Sequence, residues 1–74
     1  MSPDKLVRMA NQIALALEPR GHAEAVTDLA QHINDFWEPR MRRQFFELLD
    51  QGGAGFRPLV IEAAKAIRRP AEAA

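Results

Sequence analysis

The sequence contains no cysteine and no tyrosine, and its 74 residues include a single tryptophan. Without cysteine the chain has neither disulfides nor thiolate ligands for zinc or iron–sulfur clusters. Ten basic and ten acidic residues give a formal net charge of zero. That balance argues against a dedicated nucleic-acid binder, because such proteins gain much of their affinity from excess positive charge. No apolar run approaches the roughly 20 residues of a membrane span, and no signal-peptide pattern is evident, so we expect a cytoplasmic protein.

Few side chains are suited to catalysis. The only hydroxyl groups belong to Ser2 and Thr27, and helix capping is the simpler role for Ser2. His22 and His32 lie ten positions apart, without the i, i+4 partner of a helical metal site. Three of the four glycines fall in one loop that no strand precedes, which excludes a phosphate-binding fingerprint. The sequence therefore predicts no catalytic, cofactor-binding or metal-binding residue and no independent enzyme.

Proline and glycine divide the chain into four predicted helices. No segment alternates with a period of two residues, and alanine, the strongest helix former, is the commonest residue. We therefore predict an all-α fold, a single small compact domain of three to four short helices over residues 1–74. The predicted helices are Pro3–Glu18, His22–Phe36, Pro39–Asp50 and Pro58–Arg69, followed by a frayed tail at 70–74.

Each predicted helix carries an apolar stripe that would face the core. Three large apolar residues lie off these stripes, Leu15, Phe46 and Ile61. They indicate either a second apolar surface for a partner or a core whose helices are rotated differently. The predicted stripes are Leu6, Met9, Ala10, Ile13 and Leu17; Val26, Leu29, Ala30, Ile33 and Trp37; Met41, Phe45, Leu48 and Leu49; and Leu59, Val60, Ala63 and Ile67.

The segment 32–42, HINDFWEPRMR, concentrates aromatic and basic residues where the second helix turns into the third. In one interpretation Trp37 fills the core, Phe36 supports the corner and Pro39 sets the turn. In the other, Trp37 anchors a partner, because Trp and Arg dominate interface hot spots. For His32 we expect a position on the helix surface near Phe36 and no ligand role.

Three arginines at 40, 42 and 43 follow in the same segment. They either form a solvated face or hold the carboxylates or phosphates of a partner. In the first case their counterions would be Glu38, Glu47 and Asp50.

Three motifs give the chain a family resemblance. KLVRMANQIA at 5–14, HINDFWEPRMR at 32–42, and GGAG at 52–55 with PLVIEAAKAI at 58–67 together resemble the delta subunit of NAD-dependent formate dehydrogenase. The resemblance covers Lys5 to Ile67, and the three motifs in this order are more specific than any one alone. The sequence departs from the family pattern at 14–21, ALALEPRG, where relatives tend to carry aromatic residues.

The resemblance implies a non-catalytic accessory subunit of a cytoplasmic complex. In that family the alpha subunit carries a molybdenum or tungsten pterin and iron–sulfur clusters and oxidises formate to carbon dioxide. Electrons then pass through further clusters and FMN to NAD on the beta and gamma subunits. The delta subunit would assist assembly or stability by docking on alpha and would bind no cofactor itself.

We expect the contact with the alpha subunit to involve a set of basic, polar and apolar residues. A maturation chaperone for alpha or its pterin, and an unrelated self-associating helical module, remain alternatives. The expected contact residues are Arg8, Asn11, Leu15, Trp37, Pro39, Arg40, Arg42, Phe46 and Ile61.

Overall fold

The computed structural model describes residues 2–70, and this part of the chain is all-α, as the sequence predicts. The described range contains four α-helices and two short 3₁₀ turns and no strand. None of these helices is long and apolar enough to cross a membrane. The predicted tail beyond residue 70 lies outside the described residues. The helices are α1 (Pro3–Leu17), α2 (His22–Phe36), α3 (Pro39–Asp50) and α4 (Pro58–Ala63), and the 3₁₀ turns are Glu18–Arg20 and Ala64–Ala66.

The helix starts follow from local chemistry. Prolines 3, 39 and 58 stand at the beginning of α1, α3 and α4, where the missing N–H has no intrahelical acceptor to lose. Ser2 caps α1, because its hydroxyl accepts a hydrogen bond from the Lys5 N–H at 3.2 Å. Gly21, with φ of +99°, makes the turn between the first 3₁₀ turn and α2. Helices α2 and α3 have the bounds that the sequence predicts.

The last helix is shorter than predicted. Its α-helical part ends at Ala63, the 3₁₀ turn continues to Ala66, and Ile67 is extended with φ of −89° and ψ of 130°. The predicted continuation to Arg69 is therefore wrong.

The early end coincides with a side chain of α2 that binds the backbone of this segment. The Asn34 amide nitrogen donates to the carbonyl of Ala66 at 3.1 Å, and its amide oxygen accepts from the N–H of Arg68 at 2.8 Å. Without the Asn34 amide, the Ala66 carbonyl and the Arg68 N–H would need other hydrogen-bond partners. The chain after α4 is thereby held against α2 in a non-helical conformation.

Four aromatic rings form the centre of the core. Phe45 is fully buried, and Trp37, Phe46 and Phe56 pack edge-on around it with ring centroids 5.9, 5.2 and 5.2 Å away. Edge-to-face pairs are the favoured geometry for aromatic side chains. The other buried residues are Leu6, Ala10, Ala14, Ala25, Leu29, Ala30, Ile33, Leu59, Val60, Ala63 and Ile67.

Helix α1 buries only part of its predicted stripe. The side chains it buries completely recur every four residues and include two alanines, which let neighbouring helices approach closely. The larger side chains beside them pack against the core but keep part of their surface exposed. The buried set is Leu6, Ala10 and Ala14, and the partly exposed set is Met9, Ile13 and Leu17.

Candidate interaction surface

Five of the nine expected contact residues lie on the surface. Leu15 is 51% exposed and Ile61 is 44% exposed, on α1 and α4 respectively. Arg8, Pro39 and Arg40 are exposed as well. These residues are distributed over three helices, so they do not form one continuous stripe along any single element.

The two aromatic residues of the expected set lie in the core. Phe46 is 6% exposed, so the prediction that it lies on the surface is wrong. Its ring packs on Phe45, and the Arg69 guanidinium lies over it at 4.4 Å from the ring centre. The extended chain after α4 brings this arginine over α3. Trp37 is 5% exposed, so the core alternative is the correct one for this residue.

Asn11 forms contacts within the chain. Its amide nitrogen donates to the Gly55 carbonyl at 2.8 Å, and its amide oxygen accepts from the Arg57 N–H at 2.9 Å. These two bonds attach the loop before α4 to α1. Glu18 strengthens the same attachment through an ion pair with Arg57 at 2.8 Å, and this pair raises the pKa of Arg57 above its usual value. The polar face of α1 therefore holds this loop in place.

The arginines of α3 behave differently from one another. Arg42 binds backbone carbonyls, with Nη1 donating to Arg68 at 2.8 Å and Nε to Trp37 at 3.4 Å. Arg40 and Arg43 are exposed, and no carboxylate among residues 2–70 lies within ion-pair distance of either.

The expected pairing of these arginines with Asp50 does not occur. Asp50 instead pairs with Arg69 at 3.0 Å, and the hydrogen bond from that guanidinium lowers the pKa of the Asp50 carboxyl. Both partners of this pair are more than half exposed, so it contributes little to stability. The first turn of α3 is basic and contains no acidic residue, and its N-cap residue, Glu38, makes no side-chain capping hydrogen bond.

A concave surface lies between α1 and α2. This groove, which we call the α1–α2 groove, has a volume of about 670 Å³. Its α1 side carries the partly exposed row of Met9, Ile13 and Leu17, one helical turn apart. The groove forms because α1 packs its alanines into the core and leaves this second apolar row partly exposed. Its remaining lining residues are Gln12, Ala16, Arg20, Asp28, Gln31, His32, Asp35 and Phe36.

The two ends of the groove differ. At one end Arg20 and Asp28 form an ion pair at 2.9 Å that connects the 3₁₀ turn to α2. At the other end His32 and Phe36 pack with ring centroids 4.9 Å apart. Phe36 is 72% exposed, the most exposed large apolar side chain in the described range. The expected surface position of His32 near Phe36 is confirmed, whereas the interpretation that Phe36 supports the corner is not.

Charge along the groove is concentrated on its α2 side. Asp28 is neutralised by its ion pair, but Asp35, two turns further along the same helix, has no cation of residues 2–70 within ion-pair distance. The α1 side contributes Gln12 and apolar residues, with no formal charge. The groove therefore combines an apolar floor with one uncompensated carboxylate near Phe36.

Sequence reasoning missed this groove. The signal in the sequence is the width of the apolar face of α1, which contains two parallel rows rather than one. A single neighbouring helix buries about one row, so the second row indicates either another neighbour in the same chain or a partner. The choice between them depends on helix packing, which periodicity does not specify.

Comparison with known families gives one match. The family model of the NADH-dependent formate dehydrogenase delta subunit, FdsD, matches residues 5–64. Comparison with curated proteins and with solved structures gives no match. The matched range extends from the first turn of α1 past the end of α4 and contains every residue that lines the α1–α2 groove.

Proposed function

Because this chain belongs to the NADH-dependent formate dehydrogenase delta subunit family, we propose that it is a non-catalytic accessory subunit of a cytoplasmic formate dehydrogenase. In this proposal it docks on the catalytic alpha subunit and supports the assembly or stability of the complex. The observation that carries the proposal is the family match over residues 5–64 of a 74-residue chain. The exposed apolar groove is consistent with a protein that is incomplete without a partner.

The chemistry of the side chains supports a non-catalytic role. The chain has no cysteine, and residues 2–70 contain no group of three or more His, Cys, Asp or Glu side chains placed to hold a metal ion. Iron–sulfur clusters need thiolate ligands, which this chain lacks. We propose that the molybdenum or tungsten pterin, the clusters, FMN and NAD belong to the alpha, beta and gamma subunits and that this chain binds none of them.

Co-purification tests the docking. The chain is expressed with an affinity tag together with the alpha, beta and gamma subunits of the same formate dehydrogenase, and each purified fraction is analysed by native mass spectrometry. We expect the tagged chain to retain alpha at a fixed ratio. We also expect complexes made without the chain to contain less intact alpha and to lose formate-dependent NADH formation faster on storage. Failure to retain alpha would contradict the proposal.

A maturation chaperone is the second candidate, and one observation favours it. Arg40 and Arg43 have no carboxylate counterion among residues 2–70, and guanidinium groups suit the phosphates of a pterin cofactor. Stoichiometry distinguishes the two candidates. A subunit stays in the active, cofactor-loaded enzyme in fixed ratio, whereas a chaperone is retained by immature alpha and is absent from the active fraction.

A further inference from the structure

We propose that the α1–α2 groove binds a short amphipathic helix of the partner subunit, with a basic residue of that helix opposite Asp35. This inference rests on the proposed function and specifies where the docking occurs and what chemistry it recognises. It requires a partner segment with apolar side chains on one face, about two helical turns long, and a lysine or arginine at the end that lies beside Phe36.

The length of the groove sets the length of the segment. Met9 and Leu17 mark the ends of the apolar row on α1. Eight residues of helix rise about 12 Å, which equals roughly two turns of a docked helix. A helix lying in a groove between two others presents apolar residues at i, i+3 or i+4, and i+7. Those positions would cover the row formed by Met9, Ile13 and Leu17.

Phe36 supplies the aromatic anchor. Its ring is 72% exposed and packs against His32. Aromatic residues are enriched among interface hot spots, because they bury a large apolar area on binding. A partner helix that covers the groove would bury this ring at the open end.

Charge argues against a symmetric, groove-to-groove pairing of two copies of this chain. Among the residues that line the groove, the only arginine or lysine is Arg20, which is already paired with Asp28. A second copy docked groove to groove would therefore bring no unpaired arginine or lysine from this surface to Asp35. A different chain with a lysine or arginine at that position satisfies the carboxylate, which is why we favour the partner subunit.

Site-specific crosslinking in the complete complex tests this placement. The photoreactive residue p-benzoylphenylalanine replaces Phe36 in one preparation and Gln51, which is exposed but outside the groove and outside the expected contact set, in a second. After irradiation we expect position 36 to form an adduct with the alpha subunit. Mass spectrometry should place it in an amphipathic helical segment that contains Lys or Arg. Position 51 should form much less of this adduct.

Two substitutions measure the energetic contribution of the groove. We expect Phe36→Ala to weaken binding to alpha about tenfold or more, as truncation of an aromatic hot spot does. Asp35→Lys should weaken it about three- to tenfold, because it places like charges opposite one another. Gln51→Ala and Glu47→Lys truncate one side chain and reverse the charge of another at exposed residues outside the groove and outside the expected contact set, and both should bind like the wild type. Circular dichroism of each variant verifies that it remains helical.

The outcomes separate this inference from the proposed function. If the wild type retains alpha but Phe36→Ala and Asp35→Lys bind equally well, the groove is not the docking site and the accessory function stands. An adduct from position 36 to another copy of this chain overturns the inference in favour of self-association. If the wild type itself fails to retain alpha, the proposed function fails.

Discussion

At the scale of single residues, two asparagine side chains each replace a missing backbone partner. Asn11 binds the carbonyl of Gly55 and the N–H of Arg57, and Asn34 binds the corresponding groups of Ala66 and Arg68 in the same way. An amide side chain can do this because it has one donor group and one acceptor group, like a peptide unit. The two amides hold the two ends of the α4 segment against α1 and α2.

The first prediction concerns Asn11. Asn11→Asp keeps the size of the side chain and the acceptor for the Arg57 N–H, but it places an oxygen against the Gly55 carbonyl. We expect the free energy of unfolding to fall by about 1–3 kcal/mol, the cost of an unsatisfied and repelled polar group. Urea denaturation followed by the fluorescence of buried Trp37 measures it.

The control for this substitution is Gln12→Glu, which makes the same amide-to-carboxylate change at an exposed neighbouring position. We expect it to change the free energy of unfolding by less than about 0.5 kcal/mol. Equal effects of the two substitutions would show that added negative charge on α1, and not the lost hydrogen bond, is responsible.

At the scale of the elements, the first 3₁₀ turn and the glycine after it determine how α1 and α2 are connected. Pro19 stands within this turn, and Gly21 follows with φ of +99° and ψ of 150°. This combination of angles is accessible essentially to glycine alone. The chain can therefore reverse within a few residues, which brings the apolar row of α1 beside α2 and forms the groove.

The second prediction concerns this glycine. A Cβ added at Gly21 would meet nothing within 4 Å, so substitution introduces backbone strain without a steric clash. We expect Gly21→Ala to lower the free energy of unfolding by about 1–3 kcal/mol. A chemically synthesised chain with D-alanine at this position adds the same methyl group and favours positive φ, so it should unfold close to the wild-type midpoint. Thermal denaturation monitored by far-ultraviolet circular dichroism compares the three chains.

At the scale of the whole molecule, stability depends on a small aromatic core. A 74-residue chain buries a smaller share of its surface than a large domain does, and this chain has no disulfide to compensate. Phe45 and the three aromatic rings that pack around it form the centre of that core. A protein with such a small core is stabilised further by a partner that binds the folded state and not the unfolded state.

The third prediction compares two phenylalanines. Phe45 is fully buried and Phe36 is 72% exposed. We expect Phe45→Ala to lower the free energy of unfolding by about 3–5 kcal/mol, because it leaves a cavity among the rings. Phe36→Ala should change it by less than about 0.5 kcal/mol, as expected for an exposed side chain. Thermal denaturation of both variants in the absence of other subunits measures the difference.

Comparable destabilisation by the two substitutions would contradict the assignment of Phe36 to the surface. The opposite pattern is expected for binding, in which Phe36→Ala weakens the interaction with alpha while folding is retained. The two measurements together separate the contribution of each phenylalanine to the fold from its contribution to docking.

The sequence was most informative where the physical signal is local. Prolines at helix starts and Gly21 between α1 and α2 act within one turn of chain, so three of the four helices begin and end within one residue of prediction. The end of the fourth helix was less predictable, because the amide of Asn34 contributes to it from 32 residues away. Phe46 was misplaced for a related reason, since the extended chain after α4 brings Arg69 over its ring.

The sequence by itself determined the all-α class, the helix positions and, through three motifs, the family of this chain. Only the tertiary structure decided which apolar rows are buried. Helical periodicity shows that α1 has a wide apolar face, but the close packing of Ala10 and Ala14 selects the row that enters the core. The row of Met9, Ile13 and Leu17 is left as the floor of the groove, because burial depends on neighbours that come from elsewhere in the chain.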